Sequence, residues 1–374
     1  MIATASLTLL SLLGSVILAL TGTGSPLAVA HLAFAVGIVP LIFAAMSHFV
    51  PVLTRTGDPQ AWIRWLPNLA QGAGLLAVAA MQGLLPRHLL HPAAAVDFVL
   101  AAILLGWIVS RVRRCLGTPH PGWRWYGGAL ASLLLALACV PLLLTLPDLY
   151  QPLRLLHIHL NTLGLVGLAA LGTLPVLLPT ALGQSDPEAA GWLRRRWLPS
   201  LLAVLAVALG SAVFWPLALA GALVLGILLL GLAGQWLRRS GLAGLLVDGA
   251  TTSLLAALLG LLLMLLAGAG HGSGWLTGRS AIVGWAAMFL LPLVTGALSQ
   301  LLPVWWWPGP SRPERLAMRA CLVATGGWRA ALFLSGGLLL LADFPVPGGF
   351  LLLGGMGLFA LGCIQAVRSL RSTR

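Results

Sequence analysis

The residues with the most chemical potential are three histidines set in apolar sequence. His31 opens HLAFAVGIVPLIFAAMSHFVPVLTRTG, and His157 and His159 lie in LHIHLNTLGLVGLAALGTLPVLLPTALG. Ionisable groups in apolar helices are rare and mark function or a buried partner. The HxH spacing carries direction. Each helical residue turns about 100°, so residues two apart point about 200° apart and serve different centres on either side of the helix. A six-coordinate haem iron takes one imidazole on each side of its ring, and two helices can supply them. The plainer alternative for each histidine is an interhelical hydrogen bond. His48, three residues before Pro51, stands at the opposite end of its helix as a secondary metal-ligand candidate. Arg154, one turn before His157, is a candidate partner for haem propionates, with Arg279 second; the alternative for both is an interfacial anchor. Asn161, Thr162 and Asp97 add polar groups at similar depth, and Asp97 is a candidate acceptor for a ligating imidazole's second N–H.

The elements that must position these groups follow from composition. Hydrophobic residues make up 59% of the 374-residue chain and charged residues 8%, against about 25% charged in soluble proteins. A soluble surface cannot be built from that supply. Apolar runs of about twenty residues, without strand alternation, call for membrane-spanning helices rather than a barrel. Cutting at Pro, Gly and Arg clusters gives twelve spans, at 2–21, 26–53, 63–85, 92–112, 125–147, 152–181, 197–214, 216–237, 242–268, 279–304, 319–342 and 347–368. The cut at Phe214-Trp215-Pro216 rests on a Trp-Pro break alone. The whole chain is then a single all-α transmembrane domain.

The net charge is +13, and all 21 basic residues are Arg. Seventeen of them fall in loops after even-numbered spans and in the C-terminal tail (Arg371 and Arg374 included), three (Arg87, Arg154, Arg279) after odd-numbered spans, and Arg329 inside a span. That is a positive-inside pattern with both termini cytoplasmic, in the inner (plasma) membrane. The charge therefore reads as topology and attraction to the lipid bilayer, not as a nucleic-acid site. Cys115, Cys139, Cys321 and Cys363 form no CxxC and read as packing residues.

The spans also repeat. Pro51, Pro179 and Pro303 close the second, sixth and tenth spans at steps of 128 and 124 residues, with four spans in each step. The chain divides into three pseudo-repeats of four helices, approximately 1–124, 125–250 and 251–374.

These stretches resemble a known family. The 156–183 segment is similar to the haem–copper oxidase subunit I helix that carries two haem ligands in an HxH pattern. The 31–57 segment resembles that subunit's second helix, and also the smaller NnrS family of membrane haem and copper proteins linked to nitric oxide stress. The resemblance implies an oxidase-like fold binding haem of b type, with copper as a further candidate. It implies His31 and His159 on one iron and His157 toward a second haem or a copper. Departures limit it: the spans over 197–237 hold no His, and Tyr occurs only at Tyr126 and Tyr150. Proton-pumping oxygen reduction is therefore not expected. The expected role is electron transfer, or handling of nitric oxide or metal, with a cytochrome or quinol as redox partner. If the chain is an enzyme, it is an oxidoreductase. The alternatives are a cofactor-free transporter with His and Asp relay groups, or a structural subunit docking a cytochrome.

Overall fold

The computed structural model describes residues 1–310 and 312–372, with side chains through Arg368. Arg374 and the side chain of Arg371, two of the seventeen arginines above, lie outside the described residues. Among these residues the chain is helical throughout, without a strand. Twelve long segments follow one another: α1 (Ile2–Thr21), α2 (Pro26–Thr54), α3 (Ala61–Met81), α4 (Leu90–Arg113), α5 (Gly122–Thr145), α6 (Pro147–Ala181), α7 (Ala189–Val213), α8 (Trp215–Leu246), α9 (Gly249–Gly272), α10 (Gly278–Trp306), α11 (Pro313–Leu341) and α12 (Pro345–Ser372).

Eleven of these, among the described residues, are long and apolar enough to cross a membrane. The exception is α3, whose 21 residues still span about 31 Å at 1.5 Å each. Two of its polar side chains meet neighbours: Thr4 Oγ1 donates to Asn68 Oδ1 at 3.2 Å, and Gln71 Nε2 faces the Thr4 and Val36 carbonyls. Large apolar side chains such as Leu10, Leu223, Leu266 and Phe350 are exposed on the helices, as lipid contact requires. The chain reads as a multi-pass membrane protein.

Local signals explain several boundaries. Ser25 caps α2, its hydroxyl accepting from Ala28 N–H at 3.2 Å with Pro26 in the first turn. The Trp-Pro cut is real: α7 stops at Val213, Phe214 is extended and α8 starts at Trp215. The ninth span is displaced from 242–268. A break at Gly241 (φ 64°) turns the chain and separates the short helical stretch Leu242–Leu246 from the rest of α8, and Asp248 caps α9 by accepting from Ala250 and Thr251 N–H. The helix starts where a carboxylate can satisfy its first donors, not where apolar sequence begins.

Three helices share an uncommon device. In α2, α6 and α10 a π-helical stretch interrupts the α-helix, at Leu32–Ile38, Leu160–Gly167 and Ala286–Leu290. Each of the three also carries a proline in its last turns, Pro51, Pro179 and Pro303. Wide π turns leave carbonyls and side chains out of the regular i, i+4 ladder and recur at functional sites.

Two compact bodies are present, one built from residues 3–173 and 187–225, the other from 174–186 and 226 onward. In the first, α5, α6 and α7 meet at Ala136, Leu160 and Ala208, all buried, with Leu156 and Leu205 packed against them. In the second, α11 is broken between Val323 and Gly326. Arg329, fully buried, bridges that break: it donates to the Leu322 carbonyl at 2.7 Å and Ser299 Oγ at 3.1 Å, over the Phe359 ring. An arginine inside a span is thus tolerated because it satisfies carbonyls that the break exposes.

Candidate functional site

The first body holds His31, His157 and His159. His31 sits at the end of the first α-helical stretch of α2, and its Nδ1 bonds the Leu27 carbonyl one turn earlier at 2.9 Å. His157 lies on the opening α-helical part of α6, and its Nδ1 bonds the Ala136 carbonyl of α5 at 2.8 Å. Each carbonyl can accept only from an N–H, so both rings carry the proton on Nδ1 and present Nε2 as a lone-pair donor. A backbone carbonyl fixing the tautomer is the usual arrangement behind a metal-ligating imidazole.

The two rings face each other, with centroids 6.4 Å apart and planes inclined by 21°. Imidazole nitrogens bind metals at about 2.0–2.1 Å, so two rings ligating one ion from opposite sides have centroids roughly 6–6.5 Å apart. The centroid separation falls in that range, with the rings in a stacked arrangement. Asn161 lies beside the pair, its Nδ2 at 2.8 Å from the His157 carbonyl and 3.3 Å from His157 Nε2.

His159 bonds within its own helix and to α7. Its Nδ1 is 2.8 Å from the Leu155 carbonyl and 3.0 Å from Ser211 Oγ on α7. The two imidazoles of HxH thus bond different neighbouring helices, His157 to α5 and His159 to α7. The resemblance implies His159 opposite His31; the ring that lies 6.4 Å from that of His31 is His157. The packing of Leu160 between Ala136 and Ala208 sets how α6 is rotated, and that rotation turns His157 toward α5 and α2 and His159 toward α7.

The remaining candidates are scattered. His48 is seventeen residues along α2 from His31, about 25 Å at helical rise, and its ring meets Phe49 edge-on at 5.2 Å. Arg154 stands one turn before His157 with one bond, to Gln151 Oε1 at 3.3 Å. Arg279 is exposed at the start of α10 in the second body. Asp97 is buried on α4, and its Oδ1 has no partner among the described residues. The four cysteines are free. Among the described residues no group of three or more His, Cys, Asp or Glu is placed to hold a metal ion.

Two features escaped the sequence reading. Ser211 beside His159 has no sequence signal. Asp248 had one: an Asp directly before an apolar run is an N-cap signature. It also pairs with Arg319 at 2.8 Å. Comparison with known protein families, curated proteins and solved structures finds no match to this chain.

Proposed function

We propose that the chain is a polytopic haem-binding membrane protein whose first body holds a b-type haem between His31 and His157. It acts in electron transfer or in handling nitric oxide or metal. The observation that carries this reading is the ring pair itself: 6.4 Å between centroids, with both Nδ1 atoms engaged by backbone carbonyls. The π-helical stretch that follows His31 directly adds support, since such stretches cluster at functional sites. With no CxxCH in the chain, a haem here is held by ligation and packing, not by thioether bonds.

The bound group would supply one-electron redox chemistry. The chain's own residues do the rest. Leu27 and Ala136 carbonyls lock the imidazole tautomers and raise their basicity. Arg154 offers a guanidinium one turn away for a propionate. His159 and Ser211 form a separate polar pair on the far side of α6, a candidate for a second haem or for copper. His48 remains a candidate metal ligand at the opposite end of α2.

The oxidase-like plan of three four-helix repeats belongs to the same reading. It draws support from the π stretches starting at Leu32, Leu160 and Ala286, each in a helix closed by Pro51, Pro179 or Pro303. The arginine distribution supports an inner-membrane location with cytoplasmic termini. A cytochrome or quinol is the proposed redox partner.

The test is the absorption spectrum of protein purified from haem-replete cells. A Soret band with a sharp reduced α band is expected. A colourless, metal-free preparation overturns the reading and favours the transporter alternative, for which the buried Asp97 is the relay candidate. Copper in a haem-free preparation would keep the ring pair as a metal site and remove haem.

A further inference from the structure

We propose that the second body binds a phosphate group, from an anionic lipid headgroup or free in solution, in a cavity at the Pro303 end of α10. The cavity measures ≈ 510 Å³ and is open on one side. It lies where the last turn of α6, the α8–α9 junction, α10 and the first turns of α11 converge, and Asp248, Gln300, Arg315 and Arg319 line it. This volume is in the range of small-ligand sites, roughly 300–1,000 Å³.

The charge arrangement selects for an anion. Asp248 is the acidic lining residue, and both of its oxygens are taken. Oδ1 accepts from Ala250 and Thr251 N–H, and Oδ2 accepts from Arg319 at 2.8 Å. Arg319 is held rigid by three bonds, with Nε on Gln300 Oε1 at 2.7 Å and Nη2 shared between Asp248 and the Ala181 carbonyl. Its Nη1 is left uncommitted among the described residues. Arg315, one turn earlier on α11, has a single bond among the described residues, from Nη1 to the Gly309 carbonyl at 3.2 Å.

One guanidinium is therefore neutralised and fixed, and the next keeps most of its donors and its full charge. Both lie on the first two turns of an eleven-residue helix opened by Pro313, whose N-terminal dipole adds positive potential. Arginine forks match phosphate oxygens in geometry and stay charged at any relevant pH. Val247 and Leu316 on the rim are 81% and 60% exposed, offering acyl chains an apolar margin beside the cationic floor. This site is independent of the histidine pair.

The test uses the full-length protein in neutral detergent. Native mass spectrometry measures retention of phosphatidylglycerol against phosphatidylcholine, and thermal unfolding is followed with and without inorganic phosphate. Wild type should retain phosphatidylglycerol selectively or be protected by phosphate. The first result identifies a lipid headgroup, the second a free anion. Arg315→Gln, which touches no interhelical bond, should weaken that effect about tenfold, the loss of one charge-assisted contact. Arg315→Lys should recover part of it. Arg195→Gln, an exposed arginine on α7, is the control. Neither ligand acting on wild type overturns the proposal. So does Arg315→Gln behaving as wild type, or Arg195→Gln losing as much as Arg315→Gln.

Discussion

The helices α2 and α6 of the first body and α10 of the second use one backbone device for different ends. In each, a π-helical stretch follows one residue directly: His31, His159 and Trp285. The first body places histidines at and beside that position, and turns two of them toward each other. The second places a tryptophan there, 6% exposed, edge-on to Phe289 at 5.2 Å. The same widened turn thus follows a histidine in two helices and a packed tryptophan in the third. Glycines repeat the contrast. Gly164, in the π stretch of α6, lies against Ser132 of α5, so α5 can approach closely enough for its Ala136 carbonyl to hold His157. Gly260 on α9 lets the Met288 backbone of α10 approach, in a contact with no polar side chain.

The comparison breaks first at the histidines. If the protein holds haem as proposed, His31→Ala and His157→Ala should each abolish its low-spin spectrum, while His159→Ala leaves it largely intact. Loss on His159→Ala with retention on His157→Ala would restore the register implied by the resemblance. A second prediction separates the bodies. Gly164→Ala and Gly260→Ala should each cost about 1–3 kcal/mol by overpacking, read from thermal unfolding. Gly164→Ala alone should perturb the spectrum, since it pushes α5 from α6 and moves the carbonyl that orients His157. A spectrum equally disturbed by Gly260→Ala would deny the two bodies their separate roles.

A smaller effect is expected at Asn161. Its amide lies 3.3 Å from the nitrogen that His157 would give to a metal, and a hydrogen bond there competes with ligation. Asn161→Ala should therefore tighten haem or copper retention modestly, by the net value of one hydrogen bond, about 0.5–1.5 kcal/mol. Weaker retention in a competition assay would show that Asn161 supports the site.

Much of this was legible in the sequence, for identifiable reasons. Helix number and type follow from apolar runs of membrane length, and the Trp-Pro break at Phe214 shows because proline stops a helix. The start of α9 was misplaced because Gly241 and Asp248 act through backbone conformation and capping, which apolar periodicity does not register. HxH spacing gave the opposition of His157 and His159 but not which of them meets His31. That depends on how α6 is rotated, which Ala136, Leu160 and Ala208 decide from three different helices. The Ala136 carbonyl behind His157 has no side-chain signature at all.

The smallest predicted effect concerns how each body holds the end of a proline-closed helix. In the first body the exit turn of α2 is tied by the His120 backbone N–H, which donates to the Leu53 carbonyl at 2.9 Å, while the His120 ring accepts at Nδ1 from Gly122 N–H at 3.3 Å. In the second body the exit turn of α6 is tied by Arg319 at Ala181. Arginine does not titrate, whereas His120 does, and its loop lies outside the spans. Burial, and then the nearby Arg194 charge, hold its pKa below the ordinary value of about 6.5. A pKa lowered by folding means that the unfolded chain binds more protons in the window from about 6.5 down to the folded value. Stability therefore falls as pH drops through that window, and is unaffected above it. Protonation at Nδ1 removes the acceptor for Gly122 and sets a cation beside Arg194. Protection of backbone amides against hydrogen exchange, corrected for the intrinsic rate at each pH, should fall over residues 115–125 on acidification below about pH 6.5, with no matching change over 179–185. His120→Gln, which keeps the backbone tie and cannot charge, should flatten the response. Acidification that loosens both exit turns equally, or a His120→Gln protein with an unchanged profile, would remove His120 as the cause.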